Sequence, residues 1–251
     1  MKILILVIYS ESEFYKDMLE IQRSYIHSNP NFQVFFIQSR IQSRGEQSRE
    51  EQSNEVEIQN DFIYVKSLEN KMNILWKTVK SLEYLIQKGL VYDFIVRTNI
   101  STLINLDLLY NHLTNIPKEN IYTGGFILNL QWLDPEAGII DETLFGTEFL
   151  QGTSIILSWD IVNKILNNLN KIRYDIIDDV SIAIFIKQYA TEAYKNSSKY
   201  MCSFMYFNSR LCKLSDARDR IFIRNKDERN RENDVKNMQK LVEYLQLKNI
   251  N

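Results

Sequence analysis

The fold turns on residues 3 to 39, ILILVIYSESEFYKDMLEIQRSYIHSNPNFQVFFIQS. Residues 3–9 are an unbroken apolar run bounded by polar residues, the pattern of a strand buried on both faces of a sheet. Phe14, Met18, Ile21 and Tyr25 then recur at helical spacing, and Asn29-Pro30 closes that helix. Residues 33–39 read as a second strand. Strand, helix and strand in succession predict a parallel pair joined by a right-handed crossover, the opening unit of an α/β sheet.

The same alternation continues outward. DFIYVK (61–66) reads as a strand, and Ile74, Thr78, Leu82, Leu85 and Ile86 line one face of a helix stopped at Gly89. YDFIVRTN (92–99) is the next strand, and its polar end is the first place to seek a ligand, because open α/β sheets bind ligands beyond their strand carboxyl ends. Residues 103–113 read as a short helix and 121–126 as a strand. Residues 127–150, aromatic and irregular, read as a substrate-facing loop. A strand and a helix with Ser158 as N-cap follow, and Asp178-Asp179 stand just ahead of another helix. Residues 40–57 have the composition of a solvated polar loop or insertion. Residues 215–251 form a charged segment ending in a helix that carries Val235, Met238, Leu241, Val242 and Leu245 on one face. The expectation is a single α/β domain over 1–251, with a mixed, mostly parallel central sheet and helices on both faces.

Composition narrows the function classes. The hydrophobic share of 45% supplies a sizeable core, and the formal charge of -2 argues against bulk nucleic acid or an anionic membrane surface as partner. No apolar run approaches the roughly 20 residues that cross a bilayer, so stable membrane insertion is not expected. The two cysteines, Cys202 and Cys212, are expected as free thiols in a reducing, cytoplasmic compartment. His27 and His112 have no acid or cysteine at ligand spacing, which argues against zinc. A glycine-rich phosphate loop, a serine elbow and a dinucleotide fingerprint are all missing.

Three constellations carry chemistry. Asp178-Asp179 reads either as an acidic helix N-terminus or as a pair in which one carboxylate takes a proton from an attacking hydroxyl and the other orients a substrate group. Arg97-Thr98-Asn99-Ile100-Ser101 closes a buried strand and reads as a polar turn or a ligand site. The cationic stretch with Arg218, Arg220, Arg224, Lys226, Arg229 and Arg231 is a solvated face or a clamp for a departing diphosphate, with Arg224 and Lys226 the best candidates.

YDFIVRTNISTLINLDLL and FLQGTSIILSWDIVNKI…IDDVSIA resemble, in order and spacing, the beta-1,3-galactosyltransferase and Fringe family, and still more its giant-virus relatives. The matching positions are Arg97 with Asn99 to Ser101, Gly124-Gly125, Gly152 with Ser158 and Asp160, and Asp178-Asp179-Val180; Lys77 lies in the helix before the strand of Arg97. The resemblance implies a GT-A, Rossmann-like fold and an inverting transfer from a nucleotide-sugar donor, UDP- or GDP-linked, to a glycan hydroxyl. It places the catalytic base on Asp179, aided by Asp178. The donor would lie against Tyr9, Ser10, Lys77, Arg97, Thr98, Asn99, Ser101, Arg224 and Lys226, and the acceptor against Gly125, Trp132, Gly152 and Thr153. The family's metal-binding Asp-x-Asp is here Asn99-Ile100-Ser101, and its C-terminal histidine falls on Phe222. Neutral residues hold a hard cation poorly, so a manganese requirement is in doubt. The alternative expectation is an inactive domain of this fold that binds glycans or nucleotides. In a viral setting the location would be host cytoplasm or virion.

Overall fold

The computed structural model describes residues 1–40, 55–227 and 230–246. Its elements, in order, are β1 (Ile3–Ile8), α1 (Glu13–Ile26), β2 (Phe32–Arg40), β3 (Val56–Gln59), β4 (Phe62–Lys66), α2 (Asn73–Gln87), β5 (Phe94–Asn99), β6 (Thr102–Ile104) and α3 (Leu106–Thr114). There follow β7 (Tyr122–Gly124), β8 (Ile127–Asn129), β9 (Glu148–Leu150), β10 (Ile155–Ser158), α4 (Trp159–Leu166), α5 (Asp178–Tyr189), α6 (Thr191–Lys195), β11 (Phe204–Phe207), β12 (Phe222–Asn225) and α7 (Arg231–Gln246).

The central sheet has seven strands in the order β3-β4-β2-β1-β5-β10-β7. β4, β2, β1 and β5 run parallel, and β3, β10 and β7 add antiparallel edges, so the sheet is mixed around a parallel middle. β1 sits at the centre because every one of its side chains is apolar and can be buried on either face. Its residues alternate between two cores. Leu4 and Leu6 pack with α2, α4 and α5, whereas Ile3, Ile5 and Val7 pack with α1, α3 and α7. A small second sheet, β11-β12-β6, is closed by antiparallel pairing of Phe222 with Ile104.

Several local expectations are corrected. The buried face of α1 is Met18, Leu19, Gln22 and Ile26, and Phe14 is exposed, because the helix also has to offer Gln22 to the Ile100 and Thr102 carbonyls. The helix expected over 103–113 is preceded by β6, whose three residues are all buried against β12. Val56 and Glu57, placed in the polar loop, belong to β3, where Val56 is buried opposite Val65; Arg40 ends β2, and residues 41–54 lie outside the described residues. The stretch 127–150 contains the β8–β9 pair. Ser158 occupies the N-cap position of α4, but its hydroxyl donates to Asp160 Oδ1 rather than capping the helix. Asp178 and Asp179 are the first residues of α5, not the ones before it. No helix among the described residues is long and apolar enough to cross a membrane.

Candidate active site

The strand order fixes where a ligand can enter. From β1 the chain moves to β2 on one side and later returns to β5 on the other, so the winding direction reverses between β1 and β5. The crevice beyond their carboxyl ends is the expected binding position in such sheets, and Ile8 and Asn99 are register partners there.

Arg97 stands two residues from Ile95 along β5 and therefore shares the face on which α5 packs. Its Nη2 lies 2.5 Å from Asp178 Oδ2, with the two side chains 7% and 2% exposed. This is contact between charges rather than an aligned hydrogen bond, since Arg97 Nε and Asp178 Oδ2 have no hydrogen-bond partner. Gly152 is the floor beneath the guanidinium: a Cβ added there would stand 2.5 Å from Arg97 Nη1 and 3.3 Å from Asp179 Oδ2. The Gly152 N–H donates to Asp179 Oδ2 at 3.1 Å, and the Val180 N–H donates to Asp179 Oδ1 at 2.9 Å. These donors favour the carboxylate, but burial, and secondly the charge of Asp178, outweigh them and push the Asp179 pKa up to about 7. The acids are thereby differentiated. Asp178 is paired with Arg97, whereas Asp179 holds its proton to higher pH than an ordinary carboxyl does.

Lys77 closes the inner side. It is wholly buried, and its ammonium donates to the Tyr9 carbonyl at 3.3 Å and to Glu69 Oε1 at 2.7 Å. Burial holds its pKa below the usual lysine value despite Glu69. Lys77 thus ties the end of β1 to the loop before α2 and is not open to a donor. The Tyr9 ring faces away, edge-on to Phe62. Thr98 is buried and donates to the Thr153 carbonyl, which holds the 151–153 turn against β5.

A second group lies past the end of β5. Asn99 Oδ1 accepts from Thr102 Oγ1 at 2.9 Å and from Arg224 Nη1, which also reaches Thr102 Oγ1 at 3.5 Å. β6–β12 pairing sets this meeting, because Arg224 and Thr102 are register partners. Burial lowers the Arg224 pKa to about 10, so it remains cationic at neutral pH, and among the described residues it has no ion pair with a carboxylate.

These contacts bear on whether the expected positions could hold a divalent cation. Asn99 Oδ1 is already engaged with a cationic side chain, Ser101 is 1% exposed with its carbonyl taken by the Asn225 N–H, and Phe222 is fully buried in the core. Among the described residues no group of three His, Cys, Asp or Glu could hold a metal ion. The described residues at these positions do not fit a divalent cation.

Other expected site residues fall elsewhere. Gly125 is pressed on Phe204, where a Cβ would come within 2.8 Å of the ring, so its glycine serves packing. Trp132 is half exposed on Phe149 and makes no hydrogen bond or ring contact with the acid cluster among the described residues. Ser10 follows β1 at the crevice, and Lys226 follows β12 directly. Arg229 is outside the described residues. Sequence reading missed Glu69, Thr102, Gln151 and Tyr206. Only Thr102, one residue past the strand-end motif, carried a local signal.

The galactosyltransferase family model matches residues 21–197, which include the Arg97 strand, Gly152 and both acids. The chain belongs to the galactosyltransferase family. Membership supports a glycosyl-transfer function, and the family in general implies a nucleotide-sugar donor and a glycan acceptor. Among solved structures, a glycosyltransferase involved in the glycosylation of the major capsid of PBCV-1 is similar with a TM-score of 0.49 at 10% identity, over 96% of this chain and 100% of that one. The apo-form glycosyltransferase GlyE of Streptococcus pneumoniae TIGR4 is similar with a TM-score of 0.40 at 11% identity. There the alignment covers 100% of this chain and 64% of the other. No curated protein matches the chain.

Proposed function

We propose that residues 1–251 act as one domain that transfers a sugar from a UDP- or GDP-sugar to a glycan hydroxyl, with inversion and without a divalent metal. The observation that carries this reading is the division of labour in the acid pair: Asp178 neutralises Arg97, and Asp179, with two backbone donors and a high proton affinity, is left to act as base. The acceptor hydroxyl oxygen bonds to the anomeric carbon from the face opposite the diphosphate. Its proton passes to a carboxylate oxygen of Asp179, and the bond from the anomeric carbon to the phosphate oxygen breaks. A base with a pKa near the working pH combines an adequate ionised fraction with sufficient driving force. Arg97 Nε is buried without a partner, an unmet hydrogen-bond donor at the centre of the proposed site.

The leaving diphosphate needs positive charge, which Arg224 supplies from its seat on Asn99 and Thr102, with Lys226 following it in the chain. Titration calorimetry with UDP- and GDP-sugars in EDTA tests this assignment. Wild type should bind, and Arg224→Ala should bind more weakly by about 1.5–3 kcal/mol, the range of a charge-assisted hydrogen bond. Strict manganese dependence, or equal binding by the variant, would remove Arg224 from the site. Donor binding with no turnover on any acceptor would favour the inactive binding module instead. The reading extends to a cytoplasmic location with reduced thiols, in keeping with the free state of Cys202 and Cys212.

A further inference from the structure

Phe126, Phe204 and Tyr206 form a three-ring cluster that no step above uses. Their centroids lie 5.0–6.2 Å apart, with Tyr206 edge-on to both phenylalanines. Phe204 is half-buried beneath, backed by Gly125, whereas Phe126 and Tyr206 are 39% and 46% exposed. Two exposed aromatics side by side are an unusual use of surface in a chain that hides most of its large apolar side chains.

The cluster is wired to the acid pair. The Tyr206 hydroxyl donates to Gln151 Oε1 at 2.7 Å, and the Thr153 hydroxyl donates to the same oxygen at 3.2 Å. The Gln151 N–H donates to the Phe126 carbonyl at 2.9 Å, and the next residue is Gly152, whose N–H holds Asp179. With its oxygen doubly engaged, the Gln151 amide presents its NH₂, which has no acceptor among the described residues. On the other side, Tyr206 is the register partner of Arg224. The rings therefore span from the base to the cation, and every side chain of the patch itself, Phe126, Gln151, Thr153, Phe204 and Tyr206, is neutral.

We infer that Phe126 and Tyr206 are the stacking surface for a neutral pyranose ring of the acceptor, with the Gln151 amide donating to one of its hydroxyls. Sugar rings have one face of C–H groups and a rim of hydroxyls, which matches an exposed aromatic face flanked by a second ring standing edge-on to it and edged by an amide and hydroxyls. A diphosphate does not match it, because the positive charge lies beyond Tyr206 at Arg224. The ring thus occupies the side of the site from which a hydroxyl can reach Asp179. This assignment rests on the transferase reading for the word acceptor, but binding can be measured without turnover.

The test is saturation-transfer NMR on the full chain with methyl β-D-galactopyranoside, methyl β-D-glucopyranoside and methyl α-D-mannopyranoside. Each is used at about 20 mM, above the millimolar range expected of a one-ring contact. At least one glycoside should receive saturation, strongest on its ring C–H protons. The affinity, read from the concentration dependence of that signal, should fall at least about fivefold in Phe126→Ala and in Tyr206→Ala, in line with an exposed aromatic worth about 1 kcal/mol or more. Tyr206→Phe should keep most of it, which separates stacking from misfolding, and far-ultraviolet circular dichroism should be the same in all variants. UDP should not displace the glycoside. Displacement by UDP would assign the rings to a nucleobase and overturn the proposal, as would absence of transfer with all three glycosides or an undiminished signal in both alanine variants. If glycosides bind the rings but no nucleotide binds anywhere, the platform stands and the transferase mechanism falls.

Discussion

Asp179→Asn should abolish turnover and, at alkaline pH, make the protein more stable. In the unfolded chain this acid titrates near 3.8, and in the fold at about 7. Between those values the folded state retains a proton that the unfolded state has released, so this group's contribution to stability is greatest below about pH 4 and is lost as pH rises to about 7. At about 1.4 kcal/mol per pH unit, the loss is on the order of 4 kcal/mol. Asparagine has no charge to desolvate and recovers that amount at pH 8. It also turns an NH₂ toward one of the two backbone donors, Gly152 N–H or Val180 N–H, which costs about 1–3 kcal/mol. The net expectation is a gain of roughly 1–3 kcal/mol at pH 8 and about zero or a small loss at pH 5, with about 2–4 °C in Tm per kcal/mol for a chain of this size. Turnover should fall about 10²- to 10⁴-fold, the usual range for a lost general base. Scanning calorimetry of both proteins from pH 5 to pH 8, beside a transfer assay, tests the two halves together. A variant less stable than wild type at every pH by a constant margin would show that Asp179 carries no strained charge, and near-normal turnover would show that it is not the base.

In wild type, turnover at saturating substrate should drop about tenfold per pH unit below about 7, as Asp179 becomes protonated, and a flat profile between pH 5 and pH 7 would contradict the base assignment. Arg97→Gln leaves the Asp178 carboxylate buried without its cation and should cost about 3–5 kcal/mol in urea unfolding; Arg97→Gln with Asp178→Asn should recover much of it. Gly152→Ala puts a methyl group 2.5 Å from Arg97 Nη1, so it should cost about 1–3 kcal/mol and lower turnover by disturbing both acids, whereas Gly89→Ala, which meets no atom, should cost no more than its left-handed backbone does and leave turnover unchanged. Of the two thiols, Cys212 should react with a disulfide reagent in the native protein, and Cys202, buried and pushed up to about 12, only after unfolding.

The α/β class was legible because its signal is local: β1 is apolar throughout, and of the residues that periodicity marked α2 buries Thr78, Leu82 and Leu85 and α7 buries Met238, Leu241 and Val242, with Ile74, Ile86, Val235 and Leu245 partly buried. The acid pair was legible as a candidate because two carboxylates at a helix start are conspicuous, and Gly152 because a short motif surrounds it. What could not be read were contacts between distant segments. That Lys77 is consumed by Glu69, and that Asn99 is consumed by Arg224, depends on strand pairing and side-chain reach that no spacing encodes. β6 escaped notice because three residues give no period to detect, and its partner β12 lies in a charged stretch that reads as solvated. Phe126 and Tyr206 stand 80 positions apart and become one surface only when the residue ahead of β8 meets β11 in the fold.

The antiparallel pairing of Ile104 with Phe222 also sets a schedule for birth of the protein. A ribosome adding about 5–20 residues per second releases the second partner roughly 6–24 s after the first. Throughout that interval β1, β2, β4 and β5 can already assemble, while β6 shows an unpaired edge and Asn99 has no guanidinium to receive. The nascent chain is therefore a scaffold with an open flank before it is an enzyme, and a chaperone or a stray strand has seconds in which to find it. Synonymous codons that slow translation between β10 and β12 would lengthen that exposure without altering a single side chain.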